Sequence, residues 1–370
     1  MMKYLGEVVA SFDAPDIVCE VFPSDLPPGT QYAAYLFRNE ERVTTIWYQD
    51  SCVFRFVGRH PPGIYRIQAF ARTADGQTES RSSGPLFVNP QPVSAQSLPR
   101  AAADGQRVFY LKGRNWRFPA VLYPGEGRHL FVMMPSAIDR TKHVLPVFSR
   151  GRWAREGIFP GDVLCIADPT LELDERLCIG WCIGDERNDA IPQLAEFVSS
   201  FARAGSIPSE RIVIYGSSAG GFAALALAAQ IEGSTAVAVN AQSDAMNYEI
   251  TRHVANFRAA AFGNASPDAI RAAFRLRVDM SARWQTVTRS RAILVQNELD
   301  VHHYRDHFLP FWTSIGGDPV PPLGLSQAGP HAAWIYRDER GHVPESVEMA
   351  RQIMAMLSQP EGFSRLPQSS

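Results

Sequence analysis

The chain has 370 residues, 45% of them hydrophobic and 20% charged, the proportions of a folded protein with room for more than one core. A formal net charge of −2 excludes broad attraction to nucleic acid or an anionic membrane and leaves a small or neutral substrate as the expected partner. The five scattered cysteines make no secreted disulfide framework; with no signal-like start and no apolar run of membrane-spanning length, a reducing, cytoplasmic location is expected.

Residues 17–88 form a series of short alternating apolar runs, at 32–37, 43–48, 53–57 and 65–71, divided by turn-rich pieces and carrying no helical stripe. The pattern predicts a small all-β, immunoglobulin-like sandwich over residues 1–90. In Tyr65-Arg-Ile-Gln-Ala-Phe-Ala71 the odd positions face the core and Arg66 and Gln68 face out. Phe70 breaks this alternation and is expected at an interface, and the edge strands of such a sandwich offer a route to an oligomer. The Pro-, Ser- and Ala-rich stretch 91–106 reads as a linker.

After it the pattern changes to strands alternating with helices. Strands are predicted at 129–134, 162–167, 211–215, 235–240, 292–296 and 331–337, and helices at 191–203, 219–230, 304–313 and 347–357. Such a βα series gives an α/β domain, a mainly parallel sheet covered by helices, over residues 107–360. Residues 361–370 read as a disordered tail. The insertion 241–290, with helices at 247–261 and 267–276, is expected above the sheet's C-terminal edge, as a lid or a lengthened crossover.

The strongest local signal is Arg211-Ile-Val-Ile-Tyr-Gly-Ser-Ser-Ala-Gly-Gly-Phe222, a buried strand, a glycine-framed serine and a small-residue helix. A serine on so sharp a turn is crowded, so its neighbours must lack a Cβ, and the helix start places N–H groups where an oxyanion would form. Ser218 is therefore the candidate nucleophile, and it needs a base held by an acid. The order serine, acid, histidine on a sheet of this kind selects His342, on the loop after the last strand, and Asp300 after strand 292–296. Asp244 and Glu298 stand as alternative acids. Ala219 follows the nucleophile and supplies one oxyanion N–H; Pro135 has none, so the second comes from Ala137 or Ser136.

His302, His303 and His307 crowd behind Asp300 and read as a helix cap or a pocket mouth. No Glu makes a zincin pattern of His303 and His307, and no second pair follows Cys178 and Cys182, so neither metal nor cofactor is expected. Trp181, Trp284, Trp312 and Trp334 read as core, with stacking on a sugar as the alternative.

Gly216-x-Ser218-x-Gly220 with Asp300 and His342 in that order resembles the α/β-hydrolase superfamily over residues 107–358, though Pro135-Ser136 departs from the His-Gly common at that corner. Met134-Pro-Ser-Ala-Ile-Asp-Arg140, Asp168-Pro-Thr170 and the elbow are also similar to serine enzymes of bacterial capsule-polysaccharide clusters, some of them O-acetyltransferases. The resemblance implies a serine hydrolase, a carboxylesterase or deacetylase working through an acyl-enzyme. One alternative is an O-acetyltransferase acting on a polysaccharide hydroxyl, with an acyl donor such as acetyl-CoA. A second, from another class, is a non-catalytic carbohydrate-binding or assembly protein in which the sandwich does the work.

Overall fold

The computed structural model of the chain describes residues 5–23, 27–39, 41–88, 92–141, 143 and 145–357, so the expected tail 361–370 lies outside the described residues. Two compact units are present, residues 1–91 with 143–146 and residues 92–142 with 147–370.

The first unit is built from β1 (Leu5–Asp13), β2 (Asp16–Pro23), β3 (Gln31–Arg38), β4 (Glu41–Gln49), β5 (Val53–Phe56), β6 (Gly63–Arg72), β7 (Thr78–Ser82) and β8 (Leu86–Val88). One antiparallel sheet has the order β1-β2-β5 and the other β4-β3-β6-β7, with β8 paired to β6. Their inner faces share one core that includes Ile17, Cys19, Leu36, Phe54, Tyr65, Ile67 and Ala69. In β6 the burial alternates over all ten residues, so Arg66 and Gln68 face out as the period of two demands. Phe70 faces out with them, and its partner is the ring of Tyr35 in the same unit, 4.7 Å away. Tyr35 in turn meets Trp47 at 6.3 Å, an edge-strand tryptophan that is 68% exposed.

The second unit contains β9 (Pro92–Val93), α1 (Leu98–Ala103), β10 (Val108–Lys112), β11 (Arg117–Tyr123), β12 (His129–Met133), α2 (Gly151–Arg155), β13 (Gly161–Ile166), α3 (Ile191–Ala204), β14 (Ile212–Ser217) and α4 (Ala219–Ala228). It continues through β15 (Thr235–Val239), α5 (Thr251–Ala261), α6 (Pro267–Val278), α7 (Met280–Trp284), β16 (Arg291–Asn297), α8 (Leu309–Ser314), β17 (Gly324–Ala328), β18 (His331–Tyr336) and α9 (Val347–Leu357). The sheet order is β17-β18-β16-β15-β14-β12-β13-β11-β10-β9. From β13 to β18 the strands run parallel, while β11 and β17 are antiparallel to their neighbours.

The central strands are buried along nearly their whole length and mostly apolar, because helices cover both faces. The chain lays β12 down, steps outward to β13, and crosses back to place β14 on the other side of β12. That reversal brings the loop after β12 beside the turn after β14, at the C-terminal ends of the strands, where sheets of this kind place their ligand sites. With the serine on the β14–α4 turn, this is the α/β-hydrolase fold.

Residues 92–106, expected as a linker, belong to this sheet and its cover. Val93 pairs with Leu111, Ser200 Oγ donates to the Ala95 carbonyl at 2.6 Å, and Leu98 is fully buried. Three apolar side chains, Val93, Ala95 and Leu98, seat the segment, and its Pro and Ser content obscured them. Among the described residues no helix is long and apolar enough to cross a membrane.

The burial of Leu98 can be tested. Leu98→Ala should cost the second unit about 2–4 kcal/mol in chemical denaturation, as for a core leucine. A linker residue would leave the midpoint unmoved.

Candidate active site

Ser218 sits between β14 and α4 with φ 54° and ψ −122°, a backbone conformation that side-chain-bearing residues rarely adopt. It is held by its N–H to the Val239 carbonyl at 2.9 Å and by the glycines around it. A Cβ on Gly216 would run into the Gly220 carbonyl, and one on Gly221 would lie 2.5 Å from the Ala241 side chain. α4 is alanine- and leucine-rich and buried on every side, so it packs close enough to impose this turn.

Ser218 Oγ lies 3.1 Å from His342 Nε2, and His342 Nδ1 lies 2.5 Å from Asp300 Oδ2. Asp300 lies in the turn three residues after β16, its N–H on the Asn297 carbonyl at 3.2 Å, and the His342 loop is pinned by two asparagines. Asn297 Nδ2 donates to the Gly341 carbonyl at 2.8 Å and Asn240 Nδ2 to the Val343 carbonyl at 3.2 Å. The structure thus brings together Ser218, His342 and Asp300, which lie up to 124 residues apart in sequence.

The alternative acids are engaged elsewhere. Asp244 accepts from Arg271 Nε at 2.9 Å and from the Met246 N–H at 2.7 Å, while Glu298 is paired with Arg337. Ser136 directs its N–H to Ser149 Oγ at 3.4 Å and its hydroxyl to the Ser217 carbonyl at 2.9 Å. The N–H groups of Ala137 and Ala219 have no backbone partner among the described residues.

Three further residues complete the site: Gln242, which carried no sequence signal, His303, expected at a helix cap or pocket mouth, and Trp181, expected in the core or against a sugar. Gln242, on the loop after β15, donates from Nε2 to Ser218 Oγ at 2.9 Å and faces His303 Nε2 at 2.9 Å. Its Oε1 accepts from the Trp181 indole N–H at 3.0 Å. His303 Nδ1 reaches the second Asp300 oxygen at 3.0 Å, and its ring stacks on that of His342 at 4.0 Å and 15°. His303 opens a π-helical turn, His303–Phe308, in which His303 and His307, four residues apart, are both buried. His303 is therefore part of the hydrogen-bonded cluster, not a cap or a pocket rim. His307 accepts the Ser243 N–H at Nδ1, and His302 pairs with Asp306 at 2.9 Å.

Trp181 and Cys182 both have positive φ, 54° and 55°, and are fully buried. Asp168 and Thr170 hold this loop: Asp168 Oδ2 accepts the Cys182 N–H at 3.1 Å and Thr170 Oγ1 the Gly184 N–H at 2.9 Å. Trp284 and Trp312 are core, while Trp334 is half-buried. The insertion 241–290 packs on the same loop, through Phe257 at 5.0 Å from Trp181 and Arg277 donating to the Ile183 and Asp185 carbonyls.

Under the elbow, Arg150 donates to Ser217 Oγ at 3.0 Å and to Glu345 Oε1 at 2.5 Å and 2.8 Å, and Tyr215 OH donates to the same oxygen at 3.0 Å. Both members of the ion pair are buried, so it ties the segments carrying His342 and α2 to the serine turn.

The electrostatics follow from this burial. Burial pushes the Asp300 carboxyl up, but the hydrogen bonds from His303 and His342 outweigh it and leave it well below the usual carboxylate range. Burial, against the Asp300 bond, lowers His303 below the ordinary histidine value, and burial with the neighbouring histidines pushes His307 down to about 3. The amide donor facing His303 Nε2 makes that atom an acceptor, which leaves the ring neutral with its proton on Nδ1, toward Asp300. A groove of about 610 Å³ lined by Arg107, Arg128, Asp162 and Arg211 lies at the other end of the strands and shares none of these residues.

No protein-family model matches the chain, and no curated protein matches it. Among solved structures it is similar to the capsule O-acetyltransferase of Neisseria meningitidis serogroup A, at 12% identity over 68% of this chain and 94% of that one, with a TM-score of 0.48. It is similar to prolyl oligopeptidase B from Galerina marginata at 9% identity, over 95% of this chain and 48% of that one, TM-score 0.49. A chain of the glycosylation-associated Gap123 complex from Streptococcus agalactiae matches at 11% identity over 99% and 76%, TM-score 0.46. Likenesses this distant carry no weight for the chemistry, which is read from this chain's own side chains.

Two consequences can be measured. A depressed carboxyl stabilises the fold at pH values above its unfolded value, and this is lost as the pH falls through its folded value. The gap in urea midpoint between wild type and Asp300→Asn should therefore be widest at neutral pH and close below about pH 4. Glu345→Ala leaves the buried Arg150 charge unpaired and should cost about 3–5 kcal/mol in the same assay.

Proposed function

We propose that the second unit is a serine hydrolase, an esterase or deacetylase acting on a small ester or an esterified carbohydrate. The observation that carries this reading is the hydrogen-bonded line from Ser218 Oγ through His342 to Asp300, set on a strained elbow. Asp300 accepts from Nδ1–H, which leaves the Nε2 lone pair facing the Ser218 proton.

Ser218 Oγ attacks the ester carbonyl carbon as His342 Nε2 takes its proton, and the carbonyl electrons move onto oxygen. Ala219 N–H, at the start of α4, and Ala137 N–H are the donors we assign to that oxyanion. The bond to the leaving alkoxide breaks, His342 returns the proton to it, and an acyl-enzyme remains. Water then repeats the sequence and releases the acid.

In a second reading a sugar hydroxyl, rather than water, takes the acyl group from Ser218. A donor such as acetyl-CoA would then load Ser218. The groups and proton transfers are the same in both.

A fluorophosphonate probe should modify the wild-type protein and not Ser218→Ala. Ester turnover in that variant should fall by a factor on the order of 10⁴ or more. An unlabelled wild type, or equal labelling of both proteins, overturns the assignment and leaves a binding or assembly role. Comparing free acid with acyl-polysaccharide formed from one donor ester decides between hydrolysis and transfer.

A further inference from the structure

We propose that Gln242 is a second group acting directly on the nucleophile oxygen, and that His303 is the residue positioning it, so that Asp300 governs Ser218 through two arms rather than one. The inference rests on Ser218 being the nucleophile. One arm is Asp300 Oδ2, His342, Ser218 Oγ; the other is Asp300 Oδ1, His303, Gln242, Ser218 Oγ.

Donor and acceptor requirements leave this ring one arrangement. An indole N–H can only donate, so Gln242 turns Oε1 to Trp181 and Nε2 to the other side. The two amide hydrogens then go to Ser218 Oγ and His303 Nε2. With Nε2 accepting, the His303 proton sits on Nδ1 and is donated to Asp300. Every polar atom of the Gln242 and His303 side chains is thereby used, in a place where both are buried.

The arrangement acts at two moments. Before reaction, Ser218 Oγ accepts from Gln242 and gives its proton to His342, so its remaining lone pair has one direction. When the acyl-enzyme breaks, the bond between Oγ and the acyl carbon cleaves and its electron pair returns to Oγ. The Gln242 N–H stabilises that charge until His342 delivers the proton. His303 also shares the Asp300 carboxylate with His342. Around His303 stand Asp300 and His342, then His302 and His307 at 5.6 and 5.4 Å, Tyr248 at 6.2 Å, and Glu249 as a more distant charge.

Three variants separate the arms. Gln242→Met keeps the volume and removes every bond; the second-order labelling rate should fall about tenfold while ester KM moves little. His303→Asn preserves a donor where Nδ1 stood, and His303→Gln an acceptor where Nε2 stood. A carboxylate that loses one of two donors holds the imidazolium more tightly, so His303→Gln should move the acid limb of the pH–rate profile to higher pH. His303→Asn should leave that limb in place. If Gln242→Met does not fold, Gln242→Glu keeps the indole's acceptor and, ionised, should slow labelling in the same way.

Wild-type labelling rates in the Gln242 variants, or one acid limb shared by wild type and His303→Gln, overturn the two-arm assignment while leaving Ser218 as nucleophile. A wild type that does not label removes the nucleophile and this inference with it.

Discussion

One strained backbone governs the second unit: Ser218 held at φ 54° between β14 and α4. Such a conformation costs about 1–3 kcal/mol and persists only where its surroundings over-determine it. Here they do so from three sides. Gly216 and Gly220 admit the close pass of the turn, α4 is apolar all round and sinks against the sheet, and the next strand takes the Ser218 N–H. Gly221 extends the requirement beyond the five-residue pattern, since its missing Cβ is what lets the loop after β15 approach. That loop carries Gln242, so the packing that forces the elbow also delivers the group that contacts its oxygen.

The rest of the polar interior is arranged around keeping that oxygen's neighbours fixed. A buried side-chain network is an advantage only when each member is satisfied, because the low dielectric that strengthens its bonds also penalises an unmade one. The Asp300 ring meets that condition. Its flanks meet it less fully: His307 Nε2 and Glu345 Oε2 have no partner among the described residues. Glu345 spends one oxygen on three donors from Arg150 and Tyr215, which locates the His342 segment firmly by charge rather than by a complete set of bonds.

What was legible in the sequence follows from this physics. The parallel strands could be read because strands covered on both faces are continuous runs of Ile and Val, and Ser218, Asp300 and His342 because a sharp turn needs glycine and the fold orders its loops. β10 and β11 were missed although Lys112-Gly-Arg-Asn-Trp-Arg117 is a turn between two apolar runs, and Val93, Ala95 and Leu98 were hidden in Pro- and Ser-rich composition. Gln242 had no signal, since a glutamine after a strand has no required spacing. Trp181 was placed among core tryptophans, which it is, but its indole N–H was the informative part. Asp168-Pro-Thr170 carries a resemblance in the sequence, and its physical work is to hold two consecutive residues at positive φ.

That work links a remote turn to the chemistry. Trp181 and Cys182 would relax from φ near 55° if Asp168 and Thr170 released the loop, and the indole would leave Gln242. An unrestrained amide could then present oxygen rather than nitrogen to Ser218. The orientation of one amide is thus set by a carboxylate that touches neither Ser218 nor His342. Asp168 is itself buried and held above the usual carboxylate range by burial, against the two backbone N–H groups that favour its charge. Those N–H bonds need only an acceptor oxygen, so the loop is held whether or not the carboxyl carries a proton.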